Sequence, residues 1–159
     1  MPILRALALI VAANGAPVLA RWVLGERLAF PLDGGLRAWD GRALLGPAKT
    51  LRGLIAAVIA ATGAAWLLGV APIAGLLAGA TAMVADALSS FVKRRLGMAP
   101  SSRAAGLDQI PESLLPAFAV APYLGLSLWD VVAAAASFFV LELVISGPLY
   151  RLHVRNRPY

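Results

Sequence analysis

Apolar residues in this chain fall into long runs rather than into an alternating pattern, and five such runs can be traced. The first extends from Ile3 to Leu24 and is interrupted by Asn14, Gly15 and Pro17, where a break in the helix is expected. The second covers Leu51 to Leu68 and ends in a tight turn at Gly69 to Pro72. The third starts at Ile73 and runs to the basic cluster Lys93 to Arg95. The fourth, Ser113 to Leu126, is short and carries Pro116 and Pro122, and the fifth spans Leu128 to Tyr150. A hydrocarbon layer about 30 Å thick needs roughly 20 mostly apolar residues per helix. The pattern therefore predicts an all-α integral membrane protein, a bundle of about five transmembrane helices. Two polar loops, Gly25 to Thr50 and Leu96 to Glu112, separate the runs.

Composition sharpens this picture. Of 159 residues 60% are hydrophobic and only 14% charged, against about 25% in a soluble domain, and the mean hydropathy is +0.81. Five spans use about 100 residues, so residues 1–159 form a single transmembrane domain. Arg5 before an apolar stretch superficially resembles a signal peptide, but the chain stays hydrophobic to its end, which favours a retained first helix. The absence of cysteine excludes disulfide and thiolate chemistry, and the single histidine, His153, excludes a histidine metal site or triad.

The net charge of +6 and pI near 10.8 would suggest nucleic acid in a soluble protein; here the distribution of the charges decides. Arg21, Arg27, Arg37, Arg42, Lys49 and Arg52 flank or lie in the first loop. Lys93, Arg94, Arg95 and Arg103 belong to the second, and Arg151, Arg155 and Arg157 to the tail. In a five-span arrangement all but Arg5 fall on one side. The positive-inside rule then places the N-terminus outside, with loops and tail in the cytoplasm beneath a plasma (inner) membrane. Anionic lipid, and no nucleic acid, is the expected polyanionic partner.

Against that background the intramembrane polar residues stand out. Asp86 lies nine residues before Arg95, about 13 Å along a helix. A carboxylate at that depth is costly and normally faces a cavity or a partner. Ser89, Ser90 and Lys93 follow on the same helical face, so a polar stripe leads from mid-membrane to the loops. An ion pair with a snorkelling Lys93 is the purely structural alternative. Glu142, in the fifth run, is expected to bond Asn14 or a serine. Gly75 and Gly79 form a GxxxG pattern that predicts close helix packing. Trp22, Tyr123, Trp129 and Tyr150 sit where an interfacial aromatic belt would.

In the first loop, GPAKT lacks the glycine directly before the lysine that a Walker A loop requires, and DGRA lacks the downstream aspartates of the CDP-alcohol phosphotransferases. What remains is a glycine-rich basic segment entering a helix near Leu51, suited to cradle an anion. The second loop's acids are Asp108 and Glu112. Asp86 and Asp108, brought together beside Lys and Arg, suit Mg²⁺ with a polyphosphate; Asp108 as a surface or capping residue is the alternative.

Asp86, the stretch SFVKRRLG (Ser90 to Gly97) and GLDQIPES (Gly106 to Ser113) together resemble the CTP-dependent lipid cytidylyltransferases. These are the relatives of CTP:phosphatidate cytidylyltransferase, and the closer resemblance is to the CDP-archaeol synthase branch. Lys49, Thr50, Arg52 and Gly53 match its KT-x-RG, while Asn14, Pro17 and the PLDGG stretch are similar as well. Ala85 departs from the glycine common before the aspartate.

The resemblance implies a nucleotidyltransferase that joins CTP to a membrane lipid phosphate, archaeol-type or phosphatidate-like, releasing pyrophosphate. It implies that Asp86 and Asp108 bind Mg²⁺, with a second cation compatible with the same motif, and that Asp86, Asp108 and Lys93 are catalytic. Lys49, Thr50, Arg52, Ser89, Ser90, Arg94, Arg95, Gln109 and Asn14 would bind substrate. The sequence leaves a homo-oligomer open. Two other readings compete: a small membrane transporter or channel subunit built on the buried Asp86, and a non-catalytic scaffold. The first leaves the two arginine-rich loops unexplained and the second leaves Asp86 unexplained.

Overall fold

The computed structural model describes residues 1–99, 102, 104 and 106–151, the last six by backbone alone. Arg103, His153, Arg155 and Arg157 lie outside the described residues, as do the side chains of Tyr150 and Arg151. Five helices make up the fold: α1 (Pro2–Leu24), α2 (Leu51–Leu67), α3 (Pro72–Arg95), α4 (Gln109–Leu124) and α5 (Leu128–Arg151). No strand occurs among the described residues, and two isolated bridges, Pro31 with Thr50 and Arg37 with Ala43, stitch the first loop.

Helices α1, α3 and the described part of α5 are long and apolar enough to cross a membrane. Helices α2 and α4 are shorter, at 17 and 16 residues. Their ends follow local rules. Pro2 and Pro72 open α1 and α3 in the first turn, where a missing N–H leaves nothing unsatisfied. Thr50 caps α2 by accepting a hydrogen bond from the Gly53 amide at 3.2 Å. Ser127 and Asp130 cap α5 reciprocally, Ser127 N–H donating to Asp130 and Asp130 N–H to the Ser127 hydroxyl.

Two expectations need correction. The first helix is unbroken: residues 2–24 are continuously helical through Asn14, Gly15 and Pro17. The Asn14 side-chain amide donates to the Ile10 carbonyl one turn earlier at 3.0 Å, and proline is tolerated inside membrane helices where neighbours satisfy the freed backbone. The fourth helix begins at Gln109, four residues earlier than its apolar run. Pro111 then falls in the first turn, which proline permits, and Glu112 becomes helical rather than a loop residue.

The bundle is packed on small residues. Gly53, Ala57, Ala61 and Ala65 form the buried stripe of α2, and Ala74, Gly75, Ala78, Gly79 and Ala82 face them from α3. The large residues of α2, Ile55, Ile59, Trp66 and Leu67, point outward. Bilayer hydrocarbon is as apolar as leucine, so close backbone approach rather than hydrophobic burial holds such helices together. A methyl group on Gly75 would lie 2.3 Å from the Ala61 carbonyl oxygen, and one on Gly79 2.7 Å from Val58 Cα; the GxxxG pair is where α2 and α3 touch. Trp22, Trp129 and Tyr123 are exposed near helix ends. Helix α1 is the hub and packs against each of the other four, whereas α3 and α5 share no contact among the described residues.

Candidate active site

Helices α3 and α4 run side by side in opposite directions, and the polar stripe of α3 becomes the seam between them. Midway along α3 the Asp86 carboxylate lies beside Glu112 of α4, both lining one cavity. One turn on, Ser89 donates its hydroxyl to the Leu107 carbonyl at 2.8 Å. At the loop end Lys93 Nζ pairs with Asp108 Oδ1 at 2.7 Å and donates to the Ser102 carbonyl at 2.9 Å. Lys93, Ser89 and Ser90 are all buried. Asp108 accepts the Ala104 amide at 3.1 Å, and buried Gln109 accepts the Gly106 amide at 2.9 Å, so the described residues Ser102, Ala104 and Leu107 of the second loop lie against the seam.

Asp86 also forms an ion pair with Lys49, which arrives from the end of the first loop. The loop is held in shape from within. Asp33 is buried and accepts the amides of Gly35, Leu45 and Gly46 at 3.0, 2.8 and 3.2 Å. Burial alone would raise its pKa, but the Leu45, Gly35 and Gly46 donors outweigh it and hold the carboxyl below its usual range. Arg42 docks the loop on the end of α3 through the carbonyls of Arg95 at 2.5 Å and Arg94 at 3.3 Å. Arg95 reciprocates with Asp40 and the Ala43 carbonyl, both at 2.7 Å, and its guanidinium lies 5.5 Å from the Trp39 ring and 5.1 Å from Phe91.

Beside the seam a cavity of about 210 Å³ opens between α1, α3, α4 and α5. Asn14, Asp86, Glu112 and Glu142 supply its polar wall, and Val11, Val18, Phe138, Leu141 and Ile145 are among its apolar residues. The Asn14 amide nitrogen donates to the Ile10 and Glu112 carbonyls, tying α1 to the first turn of α4. Among the described residues no three His, Cys, Asp or Glu side chains are arranged to hold a metal ion.

The residues singled out from sequence thus divide. Lys49 and Asp86 meet, as do Lys93 and Asp108, and Asn14 shares the cavity with Asp86. Asp86 and Asp108 lie on one seam but face different partners, Lys49 and Glu112 beside Asp86 and Lys93 beside Asp108. Thr50 serves as the α2 cap, and Arg52 donates to the Gly25 and Arg27 carbonyls at 2.8 and 2.6 Å, closing the end of α1. Arg95 is engaged by the first loop. Arg94 differs from all of these. It is 5% exposed, one terminal nitrogen donates to the Ala99 carbonyl at 2.8 Å, and its Nε and Nη1 have no hydrogen-bond partner among the described residues. A buried guanidinium with two unfilled donors is a place for an anion. Glu112, Glu142 and Arg42 were not among the expected site residues. The i, i+4 spacing from Asp108 to Glu112 signals the first of these once α4 is known to include both.

A helical membrane bundle whose inner polar seam sets buried Lys and Arg against carboxylates offers paired charge at which an anionic group can be received. Comparison with known proteins agrees. A family model described as CarS-like, CDP-archaeol synthase, matches residues 67–159. Similar proteins include the CDP-archaeol synthases of Sulfurisphaera tokodaii, 34% identical over 81% of this chain and 81% of that protein, and of Aeropyrum pernix, 37% identical over 92% and 85%. That of Hyperthermus butylicus is 41% identical over 63% of this chain and 60% of its own length. A solved structure, described as an intramembrane enzyme for archaeal membrane lipids biosynthesis, superimposes with a TM-score of 0.68 at 30% identity, covering 86% of this chain and 90% of that one. The chain belongs to the CDP-archaeol synthase family, and it is an integral membrane enzyme of the nucleotidyltransferase type.

Proposed function

We propose that the chain transfers the cytidylyl group of CTP to an archaeol-type lipid phosphate, giving CDP-lipid and pyrophosphate for phospholipid biosynthesis. Family membership supports the reaction, and the observation that carries the site is Arg94, buried with two unfilled donors beside Lys93. A triphosphate held there lies at the loop end of the seam, while the lipid phosphate enters through the cavity whose apolar wall is formed by α1 and α5. The basic residues clustered around both loops support a cytoplasmic site beneath the plasma membrane.

In the transfer an oxygen of the lipid phosphate attacks the α-phosphorus of CTP in line. The new O–P bond forms as the bond to the β-phosphate oxygen breaks, and pyrophosphate leaves. No protein nucleophile is needed, so the chain's contribution is positioning and charge neutralisation. Lys93 and Arg94 bind phosphate oxygens, Lys49 neutralises charge beside Asp86, and Asn14 keeps α1 and α4 in register around the cavity.

The donor set also fits a hard cation. Asp86 and Asp108 offer oxygen only, and Mg²⁺ usually takes one or two carboxylates plus substrate phosphates rather than a full protein cage. Asp86 and Asp108 would hold Mg²⁺, and the ion would supply charge stabilisation to the leaving pyrophosphate.

The test is to incubate purified protein in detergent with labelled CTP, Mg²⁺ and a panel of ether and ester lipid phosphates. CDP-lipid is expected, fastest with the archaeol type, and Asp86→Asn and Asp108→Asn should each abolish turnover in the protein that purifies folded. Full activity in both variants, or no conversion of any lipid phosphate, overturns the assignment.

A further inference from the structure

Each of the two aspartates assigned to the metal is held by a lysine assigned to the nucleotide. Asp86 of α3 pairs with Lys49 at the end of the first loop. Asp108 pairs with Lys93 at 2.7 Å beneath the second loop. Both pairs are largely removed from solvent: the side chains of Lys49 and Asp86 are 18% and 22% exposed, those of Lys93 and Asp108 8% and 14%. In such surroundings an unpaired charge is far more costly than a paired one. Neither a metal nor a nucleotide arriving alone offers an even exchange. A bare cation on Asp86 displaces Lys49 from its ion-pair partner and leaves it beside the Glu112 carboxyl, and a bare triphosphate on Lys49 or Lys93 takes the paired lysine from a carboxylate. A metal–nucleotide complex supplies a cation for each carboxylate and an anion for each lysine at once.

From this we infer that the site opens by partner exchange: the pairs Lys49–Asp86 and Lys93–Asp108 break together and re-form on Mg·CTP, so that metal and nucleotide enter as one unit. The pairs are locks against either component alone. The absence of a preformed three-ligand cluster among the described residues and the unfilled donors of neighbouring Arg94 are both as this requires, since the cation's remaining ligands and the guanidinium's missing acceptors come with the phosphates. The inference rests on the proposed CTP site and adds to it a reason for the lysines' position.

Two binding measurements test it, neither using turnover. In the first, Mn²⁺ alone is titrated into purified protein and free ion is read by electron paramagnetic resonance. The wild type binds weakly; Lys49→Met releases Asp86 and tightens Mn²⁺ by about tenfold, and adding Asp86→Asn to that variant returns the affinity to the wild-type value. In the second, CTP is titrated in the presence of EDTA. Asp86→Asn releases Lys49 and strengthens metal-free CTP binding by a similar factor, a result that needs no lysine variant to fold. An unchanged or weaker Mn²⁺ affinity in Lys49→Met, or weaker metal-free CTP binding in Asp86→Asn, overturns the exchange. A wild type that binds CTP under no condition instead brings down the proposed function itself.

Discussion

Replacing Gly75 by alanine tests how tightly packing and chemistry are joined. The added methyl would stand 2.3 Å from the Ala61 carbonyl oxygen, 2.6 Å from Thr62 Cα and 2.7 Å from the Ala61 carbonyl carbon. All three are backbone atoms, so no rotamer change relieves them. Ordinary contact lies at about 3.5 Å, so α2 and α3 must separate by roughly 1 Å. Overpacking of this kind costs about 1–3 kcal/mol. At about 2–4 °C per kcal/mol for a chain of this size, thermal unfolding in detergent should fall by several degrees. Gly63, on the facing helix α2, is the internal control: a methyl there meets nothing within 4 Å, so Gly63→Ala should be neutral or slightly stabilising through helix propensity. Because Lys49 precedes α2 and Asp86 belongs to α3, the same separation loosens their ion pair, and CTP-dependent transfer should drop along with stability. Equal melting temperatures for Gly75→Ala and Gly63→Ala would refute the claim that backbone contact at this point holds the two helices.

Two further outcomes follow from the loops. Arg94→Met removes two unfilled charge-assisted donors, each worth about 1.5–3 kcal/mol when bound to an anion; kcat/KM for CTP should fall at least tenfold with melting unchanged, whereas a purely structural Arg94 would show the reverse. Asp33, whose carboxyl is held below its usual range, stabilises the first loop fully above the unfolded-state pKa of about 3.9 and loses that contribution as pH falls through the lower, folded value. Limited proteolysis of the loop should therefore accelerate only in strong acid for the wild type, and already at neutral pH for Asp33→Asn.

Much of the architecture could be read from hydropathy alone, because a bilayer admits few solutions: five apolar runs became five helices, with most ends within a residue or two of the observed ones. The misreadings arose where composition and geometry conflict. Asn14, Gly15 and Pro17 look like a break, yet α1 packs against four neighbours and stays helical through all three. LDQIPES looks like a loop, yet Pro111 is acceptable in a first turn, and with the helix starting at Gln109 the Glu112 side chain enters the cavity. The charged residues were visible in the sequence, but their pairing was not. Lys49 and Asp86 are 37 positions apart, and no local pattern tells that Arg52 closes α1 and Arg95 clamps a loop while Arg94 keeps free donors. Residue type marked the candidates; the tertiary register decided which of them serve as fasteners.

The brevity of α2 and α4 has a bearing on the lipid around them. At 17 and 16 residues they rise about 24–26 Å, a few ångströms less than the usual hydrocarbon thickness of about 30 Å. Hydrophobic mismatch of this sign is met by local thinning of the bilayer. Both helices begin at the end of the bundle that carries the polar seam, so thinning on that side would bring the headgroup plane closer to the seam.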